Sequence, residues 1–178
     1  MNVFQALERE TTEGGLDLVV IGGFAVIQHG YSRVTADCDL LVRSDLREAW
    51  HSLVIKLGYE LVHEQDTFRQ YALHEGTGWP LDLMFVNPST FAGIRAAATI
   101  TTIEGAHLPV VSLEHLLALK LHALKYSNLR RFLKDFEDVS RLVQLNKLDL
   151  RSPRIRDLFL KYGNTDLYGK ICRACATE

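Results

Sequence analysis

Apolar positions along the chain change period several times, and each change marks an element. In "VFQALERE" they recur at helical spacing and stop at Gly14-Gly15, which predicts a first helix. "LDLVVIG" is a continuous apolar run, read as a buried strand. "FAVIQHG" returns to helical spacing between the pair Gly22-Gly23 and Gly30, and "CDLLVR" is strand-like again. "SDLREAWHSLVIKLG" reads as a helix with Ser44 as its N-cap and Gly58 as its stop. The alternation then falls to period two in "YELVHEQ", "FRQYALHE" and "PLDLMFV", three strands of a meander. "NPSTFAGIRAAA" predicts a helix with Pro88 near its start, and "TITTIEGAHLPVVS" predicts two short strands around Glu104-Gly105, where Pro109 favours a sheet edge.

From Ser112 the pattern becomes helical throughout, in "SLEHLLALKLHALKYS", "RFLKDFEDVSRLVQLN", "SPRIRDLFLKYG" and "TDLYGKICRACA". The expectation is an α/β (α+β) protein: a mixed β-sheet flanked by helices over residues 1–111, with a C-terminal helical segment, 112–178, packed on that core. No internal repeat or low-complexity stretch interrupts it.

A chain of 178 residues, 47% of them apolar, is sufficient for one core. It holds no apolar run of about 18 residues, and its N-terminus is amphipathic and acidic rather than a basic leader, so a soluble cytoplasmic protein without a membrane partner is expected. Cys38, Cys172 and Cys175 are odd in number, which argues against a disulfide framework. The CxxC spacing of the last two lacks the further ligands of a zinc site and reads as two cysteines on a terminal helix. The net charge of −2 speaks against a strong non-specific grip on nucleic acid. It conceals an asymmetry: residues 1–119 hold 7 Lys/Arg against 15 Asp/Glu, and residues 120–178 hold 13 against 7. An acidic part suited to metal and a basic part suited to phosphate are one way to divide that charge.

The candidate chemistry lies in "VVIGGFAVIQHGYSRVTADCDLLV". If Asp37 and Asp39 lie on a strand, they project from the same face about 7 Å apart and repel each other, so a cation belongs between them. A hard divalent ion such as magnesium takes carboxylate oxygens and completes its shell with water and substrate phosphates. Asp82, in "PLDLMFV", is a third carboxylate at a strand position, and three such ligands allow two metals in line for displacement at phosphorus. Gly22-Gly23, at a strand–helix junction, lets backbone N–H groups approach a phosphate. Arg33 and Thr35 precede the aspartates in a loop expected close by, with Arg33 poised between a phosphate contact and a surface pair.

The order Gly22-Gly23, helix, Asp37-Cys38-Asp39, then Asp82 on a later strand resembles the nucleotidyltransferase superfamily typified by DNA polymerase beta. "GGFAVIQHGYSRVTADCDLLV" is similar to its small bacterial and archaeal members, including the abortive-infection type toxins, and "LLALKLHALKYSNLRRFLKDFEDVSRL" is similar to their paired helices. The resemblance spans Leu18 to about Leu145 and implies the nucleotidyltransferase fold. It implies that Asp37 and Asp39 bind two Mg²⁺ ions, with Mn²⁺ a substitute, and that Asp82 joins one metal and assists deprotonation of an acceptor hydroxyl. By the same resemblance Gly22 and Gly23 hold the triphosphate, Lys120 contacts phosphate, and Asp135 orients Lys120. Many members carry Ser where this chain has Gly23, which leaves backbone N–H alone at that position.

Lys120 lies beside the apolar stripe of Leu116, Leu117, Leu121 and Leu124, whereas Lys125, turned about 140° away on an ideal helix, reads as solvated surface. The bland readings of other residues are a helix C-terminal position for His29, an i, i+4 pair for Lys134 and Asp138, and core packing for Trp79 and Phe85. The function expected is transfer of a nucleoside monophosphate from an NTP to a hydroxyl of a protein side chain, a tRNA 3′ end or a small molecule. The resembled group includes toxins of toxin–antitoxin pairs, and membership among those would make an antitoxin protein the partner. The competing readings are a non-catalytic nucleotide-binding module of the same fold and a metal-dependent phosphohydrolase.

Overall fold

A computed structural model describes residues 2–73, 78–126 and 129–176. The chain divides into two compact units, residues 1–25 with 33–112, and residues 26–32 with 113–178. Among the described residues no helix is long and apolar enough to cross a membrane.

The first unit is built on a seven-stranded mixed sheet. Its strands are β1 (Leu18–Val20), β2 (Cys38–Arg43), β3 (Tyr59–Gln65), β4 (Phe68–Leu73), β5 (Leu81–Val86), β6 (Thr99–Ile103) and β7 (Ala106–Val110), in the order β3-β4-β5-β2-β1-β7-β6. Strand β2 runs antiparallel to β1 and parallel to β5, while β3, β4 and β5 form the expected antiparallel meander. His74 and Glu75, expected at the end of β4, lie outside the described residues. Strands covered on both faces read as continuous apolar runs. Leu18, Val19, Val20, Leu40, Leu41, Val42, Leu81 and Leu83 are accordingly all fully buried.

Three helices and the first part of a fourth complete this unit: α1 (Val3–Thr12), the start of α2 (Gly22–Gln28), α3 (Arg47–Lys56) and α4 (Pro88–Ala96). Asn2 caps α1 in a reciprocal capping box with Gln5, and Asn87 caps α4 by accepting from Thr90 N. Two expectations need correction. Ser44 does not cap α3: a 3-10 turn over Ser44–Leu46 intervenes, Leu46 takes the N-cap position, and Asp45 is held by Arg43 at 2.5 Å. Strand β7, which carries Pro109, lies inside the sheet order and not at its edge. Proline is tolerated because the pairing of β7 with β1 is registered only at Val20–Val110, which leaves Pro109 outside that ladder.

In the second unit α5 (Leu113–Leu124) packs on α6 (Leu129–Leu145) and α7 (Pro153–Tyr162), and α8 (Thr165–Cys175) packs on α6 and α7. Its core contains Leu116, Leu117, Leu121, Val139, Leu142, Phe159 and Ile171. Ser127 and Asn128, between α5 and α6, lie outside the described residues. His29 follows the end of α2 and belongs to this unit, where its carbonyl accepts from Asn146 Nδ2 at 3.0 Å. Cys172 and Cys175 sit on α8, half-buried and outside any disulfide.

Candidate active site

Strands β2 and β5 are parallel neighbours in a register that sets Asp39 directly beside Asp82. In-register residues of adjacent strands share a face about 4.8 Å apart. Asp37 departs from the strand expectation. It sits in a bend immediately before β2, because the ladder to β5 begins at Cys38, whose N–H donates to Pro80 O at 2.9 Å. Its carboxylate nevertheless joins the other two: one oxygen from each of Asp37, Asp39 and Asp82 lies within 4.8 Å of the others. Asp37 and Asp39 are half-buried and Asp82 is buried.

An uncharged donor lies at each carboxylate. Thr35 Oγ1 lies 3.2 Å from Asp37 Oδ1, the Gly23 amide 3.4 Å from Asp39 Oδ2, and Gln70 Nε2 3.4 Å from Asp82 Oδ2. Gln70 stands opposite Asp82 in the β4–β5 register. The acidity of the cluster is felt by Cys38 between the first two acids. Burial pushes its thiol well above the ordinary range, and the charges of Asp39, Asp37 and Asp82 push it further, so the group stays a neutral thiol.

The glycine pair opens α2 directly over this cluster. Gly22 has φ +60°, a conformation that favours glycine. A Cβ on Gly22 would overlap the Asp39 carboxylate, so the absence of a side chain there lets the carboxylate approach. Arg33 reaches across the same region: its Nη1 lies 3.5 Å from where a Gly23 Cβ would be and donates to Val34 O at 2.9 Å. Three converging hard oxygens beside a side-chain-free helix start fit a divalent cation of the magnesium or manganese kind and do not fit a soft, thiolate-seeking metal.

The second unit holds another charged cluster. Lys120 Nζ on α5 lies 2.7 Å from Asp135 Oδ1 and 2.7 Å from Asp138 Oδ2, both on α6. All three side chains are buried, and Arg131 adds a longer contact, 3.6 Å, to Asp135 Oδ2. Lys120 and Asp135 are thus brought together as the paired-helix resemblance implies, with Asp138 as a third member. The i, i+4 reading of Asp138 missed this role. The signal was available: Asp135 and Asp138 fall on the same helical stripe as the buried Val139 and Leu142. Lys134 and Lys125 are exposed.

Trp79 packs edge-on against Phe24 and Phe4, at centroid distances of 5.0 and 6.5 Å. Phe85 is buried under the guanidinium of Arg47 at 4.2 Å. Both aromatics are committed to packing. Sequence reasoning also missed Gln70, whose position opposite Asp82 depends on strand register that no local pattern reveals.

Over residues 5–167 the chain matches the family model described as nucleotidyl transferase AbiEii toxin, type IV TA system. Among solved structures it is similar to ANT(2″)-Ia in complex with adenylyl-2″-tobramycin, with a TM-score of 0.65 and 17% identity over 88% of this chain and 92% of that one. It is similar to an antigenic nucleotidyltransferase-like protein from Paracoccidioides brasiliensis, with a TM-score of 0.57 and 18% identity over 99% and 91%. It is also similar to the lincomycin-bound lincosamide antibiotic adenylyltransferase LnuA, with a TM-score of 0.54 and 16% identity over 76% and 90%. At these identities the likeness is one of fold. No curated protein matches the chain at a significant level.

Proposed function

The chain belongs to the AbiEii family of nucleotidyltransferase toxins of type IV toxin–antitoxin systems, and from that premise we propose that it moves a nucleoside monophosphate from an NTP to a hydroxyl acceptor, releasing pyrophosphate. The observation that supports this most is the convergence of Asp37, Asp39 and Asp82 within 4.8 Å beside the glycine pair.

In this reading Asp37 and Asp39 would hold two Mg²⁺ ions, with Asp82 joining one of them. When bound, the metal supplies charge stabilisation at the transferring phosphate and alignment of the attacking and leaving oxygens. The residues of the chain do the rest. Gly22 and Gly23 would meet the phosphates with backbone N–H at the start of α2, and Arg33 would be a contact of opposite charge beside them. In the same reading Asp82, buried and acceptor-only when ionised, takes the proton of the acceptor hydroxyl. Catalysis of this kind is positioning plus electrostatic stabilisation. Lys120 contributes to phosphate binding, with Asp135 orienting it; Asp138 fixes the other side of the same ammonium.

The acceptor is a protein side chain, a tRNA 3′ end or a small molecule, and the family implies an antitoxin as partner. The experiment that tests the proposal incubates the protein with Mg²⁺ and each α-labelled NTP in turn, with total tRNA, with cell lysate and with a small-molecule extract. Label joined to one acceptor class supports transfer and identifies the class. Label released only as free NMP points instead to hydrolysis.

A further inference from the structure

The glycine pair, read from sequence as a place for phosphate to approach backbone, has a second occupant. A Cβ on Gly23 would overlap the Thr35 hydroxyl and lie 2.7 Å from Thr35 Cβ, closer than real Cβ atoms come to a neighbour. Thr35 is 8% exposed, and its hydroxyl lies 3.2 Å from Asp37 Oδ1 and 3.4 Å from Asp37 O. Asp37 has particular need of such an anchor. Asp39 and Asp82 are fixed by the β2–β5 ladder, whereas Asp37 precedes that ladder and its backbone alone does not aim its carboxylate.

We propose that Thr35 is the positioning residue of Asp37, and that residue 23 is glycine so that the Thr35 side chain can lie across the start of α2. The two glycines then have matching tasks: Gly22 makes room for the Asp39 carboxylate, and Gly23 for the hydroxyl that directs Asp37. The inference rests on the reading of Asp37 as a metal ligand and adds which neutral group directs it. It also separates two reasons for Gly23. If bare backbone is needed for phosphate, no side chain at position 23 is tolerated; if the space belongs to Thr35, a side chain becomes tolerable once Thr35 is cut back.

Mn²⁺ binding to the full chain, followed by the loss of the free-ion paramagnetic resonance signal, provides a test independent of turnover. Loss of a residue that orients a metal ligand costs roughly 10–100-fold in affinity. Thr35→Val, which keeps shape and loses the hydroxyl, is expected to fall in that range, and Thr35→Ser to bind as the unaltered protein does. Gly23→Ser alone is expected to bind poorly through overlap. In the double variant Gly23→Ser with Thr35→Gly, the serine hydroxyl starts from the space that Thr35 vacates, and affinity is expected to recover at least tenfold over Gly23→Ser. Such recovery is the mark of coupled neighbours.

The proposal is overturned if Thr35→Val binds Mn²⁺ with unchanged affinity. It is equally overturned if the double variant binds no better than Gly23→Ser, and this arm decides the matter where Thr35→Val does not fold. If the unaltered protein binds Mn²⁺ but transfers no label, the reading of function fails and the Mn²⁺ affinities of the variants still decide the role of Thr35. If it binds no Mn²⁺, the role of Thr35 falls with the metal site.

Discussion

The two charged clusters of this molecule solve opposite problems. In the helical unit, Asp135 and Asp138 are buried against Lys120 at 2.7 Å each, with Arg131 3.6 Å from Asp135. Two negative charges meet two positive ones. In the sheet unit, Asp37, Asp39 and Asp82 converge within 4.8 Å, and Arg33 is the cation placed beside the glycine pair. Even with Arg33 counted, the balance is −2. A cluster neutralised by its own chain adds to stability; one in which three carboxylates converge within 4.8 Å is suited to a cation. The first cluster carries a stability load beside the phosphate role proposed for Lys120, and the second is the one proposed to hold metal.

Variants of the two clusters should therefore diverge. Asp39→Asn removes one of the three carboxylates proposed to hold metal and relieves like-charge repulsion. Nucleotidyl transfer is expected to fall on the order of a thousandfold, the loss typical of a key electrostatic group, while the urea-unfolding midpoint stays level or rises. Lys120→Met should do the reverse to stability. It leaves two buried carboxylates without their lysine, and breaking a buried pair costs roughly 3–5 kcal/mol. A urea melt measures it, and an unchanged midpoint would show that Lys120 carries no structural load.

Gly22→Ala tests the contact between helix start and acid. An L side chain at φ +60° costs roughly 1–2 kcal/mol, and its Cβ displaces Asp39, so Mn²⁺ affinity should fall at least about tenfold. The smallest expected effect is a pH dependence of stability at Tyr59. Tyr59 donates to Trp79 O at 3.0 Å, and burial pushes its pKa up to about 12. A phenol that holds its proton more tightly when folded stabilises the protein below its unfolded pKa, near 10, and that contribution is lost as pH rises through 12. Unfolding midpoints at pH 9 and pH 11, together with tyrosinate absorbance, check the sign.

Much of this was legible in the chain because local patterns carry it. The run "LDLVVIG" and the alternation in "YELVHEQ" gave strands, and the stripes of Leu116, Leu117, Leu121 and of Val139, Leu142 gave helices. The candidate acids were visible as charges in apolar runs. What local pattern could not carry was register and neighbours. Asp37 lies off its strand because β5 offers pairing only from Leu81 onward. Gln70 meets Asp82 through the β4–β5 ladder, and Asp138 meets Lys120 across two helices. Pro109 misled because a sheet can place a strand inside while pairing one side of it at a single residue. Thr35 was placed near the site by its loop, but its overlap with a side chain at position 23 is a matter of tertiary space.

Nucleotide transfer is proposed for the Asp37, Asp39 and Asp82 cluster when it is loaded with a divalent metal. Its most direct test is the transfer of α-phosphate label from NTP to an acceptor by the unaltered protein and by Asp37→Ala with Asp39→Ala, each with Mg²⁺ and with a chelator. Label on the acceptor is expected only with the unaltered protein and Mg²⁺. Equal labelling by the double variant would contradict it.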